Sequence, residues 1–296
     1  MNEKEIREHQ ESLTAGTRAV LDKTKNERIQ KAQEEAWIPY PAAVSTVDEL
    51  ELLFNYPKKD RMPNLLIVGD TNNGKTTILK RFMSMHPSFV GGGRNNIPII
   101  YISAPVSPSP NALYEKILDA LAVPYGVNES SSKKSYQVLR TLENINTRIL
   151  IIDEMQDIYH GSMREQTKFL TALKQLGNEL QIPIVAAGVH EVQRTLSSDP
   201  QIANRFDTIR LYKWNINEDF AKLVMSFEKM MPLKEPSNLI RKSMLVKLHN
   251  MCEGSIGELA KILSKAAVYA LQHNLEKIDT DILDSILYIK PSDRRK

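Results

Sequence analysis

Gly69-Asp70-Thr71-Asn72-Asn73-Gly74-Lys75-Thr76, followed by Thr77, is the stretch that decides the fold. It comes directly after the apolar residues 65–68 and directly before the mixed apolar and basic residues 78–82. The order is therefore strand, glycine-bounded loop and helix, which is the context that the pattern G-x-x-x-x-G-K-[ST] requires. A plain glycine turn with a solvated lysine would give the same letters, but the flanking strand and helix favour a phosphate-binding loop.

Each part of this loop has a chemical role in binding a nucleoside triphosphate. The two glycines let consecutive backbone N–H groups converge on phosphate oxygens at a helix N-terminus, where the helix dipole favours negative charge. We expect Lys75 to reach the β- and γ-phosphates and the Thr76 hydroxyl to hold Mg²⁺. The loop therefore predicts ATP and Mg²⁺ as cofactors, with residues 69–77 around the nucleotide.

A second motif places two acidic residues at the end of another buried strand. The run Ile149-Leu150-Ile151-Ile152 has no polar residue, as in a parallel-sheet strand covered on both faces, and Asp153 and Glu154 follow it. Ligands bind at the carboxyl ends of strands in open α/β sheets. We expect Asp153 to act as an outer ligand of Mg²⁺ and Glu154 to polarise the water that attacks the γ-phosphate. A simple helix cap is the alternative interpretation of this acidic pair.

Alternating strands and helices predict an α/β core with a parallel sheet flanked by helices over residues 37–215. Residues 1–36 are polar and charged, and they predict a separate helical or disordered extension, either a solvated tail or an arm that docks a partner or touches DNA. From residue 216 to residue 296 the strand patterns stop and helical ones dominate. This last part predicts a small α-helical lid subdomain with a basic tail.

Composition and charge limit the remaining possibilities. The chain of 296 residues has a net charge of +3, so any contact with nucleic acid must come from a local patch. Cys252 is the one cysteine, which excludes a disulfide within the chain and a cysteine-based metal cluster and suits a reducing cytoplasm. No apolar run approaches the roughly 18 residues that a membrane span needs. We therefore expect a soluble cytoplasmic protein without membrane contact.

The order of these parts resembles the AAA+ ATPases, and more specifically the TniB family of bacterial transposition ATPases and the related TnsC proteins. The resemblance covers residue 35 to the end of the chain. It rests on the phosphate loop with its two asparagines and on four further stretches, namely Arg61-Met62-Pro63-Asn64, Leu176-Gly177-Asn178-Glu179-Leu180, Asn204-Arg205-Phe206 and Ser255-Ile256-Gly257-Glu258-Leu259.

This resemblance implies a regulator of DNA transposition. Such proteins bind ATP and Mg²⁺, assemble on double-stranded DNA as homo-oligomeric rings or helical filaments, recruit or activate a TniA/TnsB-type transposase and connect with a TniQ-type targeting protein. Hydrolysis drives disassembly and helps to select the target site. By position, the resemblance implies that Lys75 and Thr76 carry nucleotide and magnesium, that Asp153 and Glu154 serve magnesium and water, and that Arg205 is an arginine finger acting on a neighbouring subunit. Spacing alone leaves Arg205 equally an ordinary surface arginine.

Two departures from the wider AAA+ pattern concern hydrolysis. The stretch Gly254-Ser255-Ile256-Gly257 lacks the usual sensor arginine, and the strand before residue 189 ends in Ala187-Gly188, where a polar residue is common. Both departures predict hydrolysis that is weak or dependent on assembly.

Contacts with DNA are harder to assign from the sequence. By position, the basic residues Arg94, Lys133, Lys134 and Arg140 are candidates for contact with DNA phosphates, and they are equally typical of a solvated surface. Two alternative functions stay open. One is an AAA+ replication initiator or helicase loader, and the other is an ATP-gated signalling scaffold that acts without DNA.

Overall fold

The computed structural model describes residues 3–91, 94–197 and 204–295. In chain order, the described helices are α1 (Glu3–Ser12), α2 (Ala15–Arg18), α3 (Lys25–Gln33), α4 (Pro41–Phe54), α5 (Lys75–Met85), α6 (Pro110–Ala120), α7 (Ser131–Asn144), α8 (Met163–Leu180), α9 (Glu191–Ser197), α10 (Glu218–Glu228), α11 (Lys242–Cys252), α12 (Ile256–Gln272) and α13 (Thr280–Ser285), with short 3₁₀ helices at Met155–His160 and Asp293–Arg295. The described strands are β1 (Asn64–Gly69), β2 (Phe89–Gly91), β3 (Arg94–Asn96), β4 (Ile99–Ser103), β5 (Ile149–Asp153), β6 (Ile184–Gly188) and β7 (Phe206–Leu211).

The chain divides into two compact units. One unit is the continuous segment Pro41–Tyr212, and the other combines the residues up to Tyr40 with the residues from Lys213 onward. The first unit holds every described strand.

A parallel sheet organises the first unit. Its five described strands have the order β4-β5-β6-β1-β7, and each neighbouring pair is parallel. Every residue of β1, β5 and β6 is buried, because helices cover both faces of a parallel sheet joined by helical crossovers. The predicted α/β core with a parallel sheet is confirmed. Outside this sheet, β2 and β3 form an antiparallel hairpin.

Local sequence signals explain where the main helices of this unit begin. Ser109 caps α6 by accepting a hydrogen bond from the Ala112 N–H, and Pro110 occupies the first turn, where a missing N–H costs nothing. Ser162 and Glu165 form a reciprocal capping box at the start of α8. On the core side, Phe169 and Leu173 of α8 pack over the sheet with other fully buried apolar residues. These helices fix the loops at the ends of the strands.

The second unit is helical, and its core includes Phe220, Leu248, Leu259 and Ile262. Over the described residues, no helix combines the length and apolar character that crossing a membrane requires.

The N-terminal residues differ from the separate polar extension that the sequence predicts, because they pack into this second unit. Ala32 and Ile38 are buried in its core. Arg28 donates to the Pro232 carbonyl at 3.0 and 2.7 Å and forms an ion pair with Glu276. The polar composition conceals this packing, because Ala32 is the one apolar residue that the described helices α1 to α3 bury. The other buried apolar residues, Leu13, Leu21 and Ile38, lie between or after these helices.

Candidate nucleotide-binding site

The phosphate loop lies between β1 and α5 and is fixed to the end of β7. Gly74 takes the left-handed conformation (φ 85°) just before α5 begins, which a residue with a side chain rarely adopts. The Asn73 side-chain amide donates to the carbonyls of Leu211 and Tyr212 at 2.8 and 3.1 Å. A Cβ atom at Gly69 would lie 3.0 Å from the Leu211 carbonyl. The loop backbone is therefore held in place by β7 as well as by its own glycines.

The Lys75 side chain folds back over this loop. Its ammonium donates to the carbonyls of Gly69 and Asp70 at 2.7 and 2.9 Å, and the residue is buried. Burial lowers the pKa of Lys75, and the negative charges of Glu154, Asp153 and Asp70 oppose that change. Two neutral carbonyls are weak partners for a buried ammonium, so phosphate oxygens would be stronger acceptors at the same place.

The carboxylate of Asp153, at the end of β5, connects the phosphate loop with β4, which is the strand next to β5. Its Oδ2 accepts from the Thr76 hydroxyl at 2.7 Å and from the Tyr101 hydroxyl at 2.9 Å, while its Oδ1 accepts from the Glu154 N–H at 2.8 Å. The structure thus brings together the two residues that the sequence predicts for magnesium. Burial and the charge of Asp153 raise the pKa of Tyr101, so its hydroxyl keeps its proton and donates.

The donor set at this position fits Mg²⁺. Magnesium prefers oxygen ligands and is commonly held by one or two carboxylates together with water and substrate phosphates. Asp153 supplies the carboxylate and Thr76 the hydroxyl, and both lie beside the loop that would hold the phosphates. These two residues would hold the ion.

Glu154 follows with an unusual backbone and a side chain that is already engaged. Its φ of 54° and ψ of 39° lie in the left-handed region, which is uncommon for a residue with a Cβ atom. Its carboxylate accepts from the Gln156 side-chain amide, and the Gln156 carbonyl oxygen accepts from the Val189 N–H at 3.3 Å. A Cβ atom at Gly188 would lie 2.9 Å from that oxygen. Gln156 therefore links Glu154 to the end of β6.

Tyr101 and Gln156 are the two site residues that sequence reasoning missed. Tyr101 is the hydroxyl-bearing residue in the middle of the otherwise mainly aliphatic β4, and β4 pairs with β5 so that Ser103 lies opposite Asp153. The sequence around Tyr101 does not show that β4 pairs with β5, so the contact of Tyr101 with Asp153 could not be predicted from it. Gln156 has no motif of its own, although its position two residues after Glu154 was a usable hint.

Arg205 lies at the other end of the sheet from the loop. In the parallel pair of β1 and β7, Asn64 is opposite Phe206 and Gly69 is opposite Leu211. The two ends are roughly 17 Å apart, because a strand rises about 3.3 Å per residue. The Arg205 guanidinium donates to the Asn178 side-chain carbonyl at 2.5 Å. Within one chain, Arg205 therefore does not join the residues around the phosphate loop.

The four basic residues considered for DNA contact have different surroundings. Lys134 has no exposed surface, and its ammonium donates to Glu115 at 2.5 Å and to the Val127 carbonyl at 3.1 Å. A buried and paired ammonium is not available to DNA, so the expectation for Lys134 is corrected. Lys133 and Arg140 of α7 are exposed and form surface ion pairs, with Glu129 just before the helix and with Glu143 on it. The Arg94 side chain lies outside the described part of the structure.

The sheet order, the loop between its central strand and α5, the adjoining acidic strand end and the additional helical unit define the AAA+ class of P-loop proteins. The model of the family described as Bacterial TniB protein matches residues 28–216, which is more than half of the chain. The chain therefore belongs to the TniB family, and the resemblance noted in the sequence is confirmed. Among curated proteins, no sequence matches this chain.

Solved structures with a similar fold include archaeal Cdc6 and ORC proteins. Cdc6p from Pyrobaculum aerophilum has a TM-score of 0.62 and 15% identity, over 84% of this chain and 68% of that one. The ORC2 protein of Aeropyrum pernix, in its ADPNP–ADP complexes, has a TM-score of 0.62 and 14% identity, over 88% and 73%. The ORC1 protein of the same organism, in complex with DNA, has a TM-score of 0.57 and 14% identity, over 87% and 68%. At these identities the likeness establishes the fold.

Proposed function

We propose that this protein is an ATP-dependent regulator of DNA transposition in the bacterial cytoplasm. It oligomerises on double-stranded DNA, recruits or activates a TniA/TnsB-type transposase, interacts with a TniQ-type targeting protein and helps to select the target site. Its ATPase activity drives disassembly. The single observation that carries this proposal is the TniB family match, which spans the phosphate loop, the acidic strand end and Arg205.

The geometry of the site supports ATP hydrolysis as the chemical reaction. The loop amides and the Lys75 ammonium would bind the β- and γ-phosphates, while Thr76 and Asp153 would hold Mg²⁺. When bound, the ion neutralises negative charge on the phosphates. Glu154 orients and polarises a water molecule toward the γ-phosphorus and accepts its proton. Glu154 must first leave the Gln156 amide, which supports slow hydrolysis in the unassembled protein.

The position of Arg205 supports a homo-oligomer. Because the guanidinium lies at the end of β7 remote from its own loop, it can contact only a nucleotide bound to another copy. An arginine at the γ-phosphate stabilises the charge of the transition state. A ring or a helical filament of identical subunits would supply this contact at each interface.

DNA binding is supported by the fold and by exposed basic residues, and not by one defined site. Two proteins of similar fold, the ORC1 protein of Aeropyrum pernix and the ORC of Drosophila, were solved with DNA, and this supports a DNA-associated role for the fold. Lys133 and Arg140 are exposed and remain candidates for phosphate contact, together with Arg94. Contacts to phosphates carry no base recognition, so binding should weaken steeply as salt increases.

Sedimentation of the purified protein with duplex DNA, with and without ATP and Mg²⁺, tests this function. We expect large assemblies only when ATP and DNA are both present, with a longer lifetime for Glu154→Gln because hydrolysis is blocked. Lys75→Ala should form none, whereas Lys80→Ala, an exposed lysine on the same helix, should behave as the wild type.

The alternative functions predict other outcomes of the same experiment. A DNA-independent scaffold would bind ATP without any change on addition of DNA. A replication initiator or helicase loader would also assemble on DNA, but it would stimulate loading of a helicase. Addition of a TniA/TnsB-type transposase would then change neither the assembly nor the activity of the transposase. Either result would contradict the transposition role.

A further inference from the structure

A positively charged cavity of about 480 Å³ lies at the end of β1 and β7 that is remote from the phosphate loop. Its lining includes three cationic residues, Lys59, Arg61 and Arg205, and one carboxylate, Asp207. The volume is within the range of roughly 300–1,000 Å³ that is usual for small-ligand sites. A cavity lined mainly by charges of one sign concentrates the electrostatic field and attracts ions of the opposite sign.

Arg205, at the wall of this cavity, makes one side-chain and one backbone hydrogen bond. Its guanidinium donates to the neutral side-chain carbonyl of Asn178 at 2.5 Å, and its own carbonyl accepts from the Asn64 N–H at 2.8 Å. Asn64 is in turn fixed, because its side-chain oxygen accepts from the Ile184 N–H at 2.8 Å. The guanidinium is thus positioned by neutral partners, which leave its charge uncompensated.

Lys59 and Arg61 belong to the short loop before β1, which is also restrained. The Lys59 ammonium donates to the Tyr56 hydroxyl at 2.8 Å and lies 4.5 Å from the centre of that ring. Asp60 accepts from the Gln181 side chain at 3.3 Å, which ties the loop to the end of α8. Across the described ranges, no carboxylate forms an ion pair with Lys59, Arg61 or Arg205. The three cations therefore share one cavity with a single carboxylate, Asp207, and the cavity keeps an excess of positive charge.

We propose that Lys59 and Arg61, which line this cavity together with Arg205, are two further cationic residues that bind the phosphate groups of a nucleotide held by a neighbouring copy of the chain. This inference rests on the proposed function as an oligomeric ATPase. The chain's own loop is roughly 17 Å away along the strands, so the phosphates must come from outside the chain. A guanidinium pairs with phosphate in bidentate fashion and an ammonium adds a point charge, so this set suits a polyphosphate.

Complementation between two inactive variants tests whether Arg61 acts on another copy. Arg61→Gln keeps its own phosphate loop and Glu154, whereas Glu154→Gln keeps its cationic cavity. We expect Arg61→Gln to lower hydrolysis by the DNA-bound assembly at least about ten-fold. Mixing it with Glu154→Gln should restore hydrolysis, because a Glu154→Gln subunit presents an intact cavity to the nucleotide of an Arg61→Gln subunit. Unchanged hydrolysis in Arg61→Gln, or no recovery on mixing, would overturn the proposal.

A matched control is available on α8. Arg164 is exposed near the start of that helix, roughly 21 Å from Asn178 at about 1.5 Å per residue, so Arg164→Gln should hydrolyse ATP as the wild type does. Lys59→Gln should lower hydrolysis in the same direction as Arg61→Gln and recover in the same mixing experiment.

Direct binding of inorganic triphosphate separates failure of the cavity from failure of the proposed function. In a Lys75→Ala background, which disables the phosphate loop, we expect saturable binding that Arg61→Gln weakens about ten-fold and Arg164→Gln leaves unchanged. Absence of such binding would overturn the proposal that the cavity binds phosphate groups. Absence of hydrolysis by the wild-type assembly would overturn the proposed ATPase function.

Duplex DNA is the other source of phosphate groups, and a binding measurement without nucleotide distinguishes it. If Arg61→Gln weakens DNA binding under those conditions and leaves hydrolysis unchanged, the cavity binds DNA phosphates and the proposal is wrong.

Discussion

Among single residues, Gln156 has the most direct control over the carboxylate that is expected to activate water. Its amide donates to Glu154 and its carbonyl oxygen accepts from the Val189 N–H. Charge-assisted hydrogen bonds of this kind stabilise a side chain by about 1.5–3 kcal/mol. We therefore predict that Gln156→Ala increases ATP hydrolysis by the dilute, DNA-free protein several-fold, measured as phosphate release.

The control for this prediction is Gln175→Ala, which removes an exposed amide on α8 and should leave the rate unchanged. Nucleotide affinity should be equal in all three proteins, since Gln156 does not contact the phosphate loop. A slower rate in Gln156→Ala at unchanged affinity would show that Gln156 supports Glu154 in catalysis and does not restrain it.

Cys252 is a residue whose burial has a measurable chemical consequence. The thiol is fully buried at the end of α11, and burial raises its pKa from 9.0 to about 11. Because the thiolate is the reactive form, we predict that iodoacetamide at pH 8 leaves the folded protein unmodified and alkylates Cys252 only after unfolding. Mass spectrometry of the intact chain measures the result. Rapid alkylation of the folded protein would contradict the buried position.

The raised pKa of Cys252 also predicts that the protein loses stability as the pH rises. The folded-state pKa lies above the unfolded value, so the stabilising contribution of the neutral thiol is complete below pH 9 and is lost as the pH rises through about 11. We predict that Cys252→Ala loses less thermal stability than the wild type between pH 9 and pH 11, as measured by the change in Tm. An equal loss in both proteins would assign the alkaline destabilisation to other groups.

At the level of secondary-structure elements, short-range sequence patterns were enough to predict the central strands of the sheet. The aliphatic runs of β1, β5 and β6 identify buried strands because each is covered on both faces. The positions of the phosphate loop after β1 and of the acidic pair at the end of β5 then follow from where these strands end. Contacts that join separate elements had no such signal, and the Tyr101 hydroxyl on Asp153 is one of them. Pairing across strands depends on strand order, which local sequence does not encode.

Helix α7 shows the same limit for charged side chains. Lys133 and Lys134 are adjacent in sequence, but one is exposed and the other is fully buried against Glu115. Replacing the buried Lys134 ammonium would leave the half-buried Glu115 carboxylate without its ion-pair partner. We predict that Lys134→Gln lowers the free energy of unfolding by about 2 kcal/mol, measured by urea denaturation.

Its neighbour provides the matched control. Lys133 forms a surface ion pair, which contributes little, so Lys133→Gln should change the unfolding free energy by less than about 0.5 kcal/mol. If both substitutions had the same small effect, Lys134 would be a surface residue in solution and its earlier assignment as a DNA contact would regain its basis.

For the whole molecule, the unexpected feature is that the two ends of the chain form one unit. The segment Pro41–Tyr212 is continuous, whereas the second unit is assembled from residues before and after it. Local patterns could not predict this, because α1 to α3 have a polar composition and only isolated apolar residues. The packing becomes visible only where Leu13, Leu21, Ala32 and Ile38 are each buried.

Removal of residues 1–40 tests this organisation. The truncated chain would lose the apolar contribution of Ala32, Ile38 and Tyr40 to the core of the helical unit, and Glu276 would lose its ion pair with Arg28. Each buried apolar side chain of medium size contributes about 1.5–3 kcal/mol, so the loss should amount to several kcal/mol. We predict that the helices after residue 213 become sensitive to limited proteolysis, while residues 41–212 stay resistant.

A point substitution distinguishes lost packing from simple shortening of the chain. Arg28→Met keeps the length and most of the apolar stem but removes the donors to Pro232 and Glu276, so it should sensitise the same helices to a smaller degree. If the truncated protein resisted proteolysis throughout, residues 1–40 would behave as a solvated tail. The second unit would then be stable through the helices after residue 213 alone, which the burial of Ala32 and Ile38 in its core argues against.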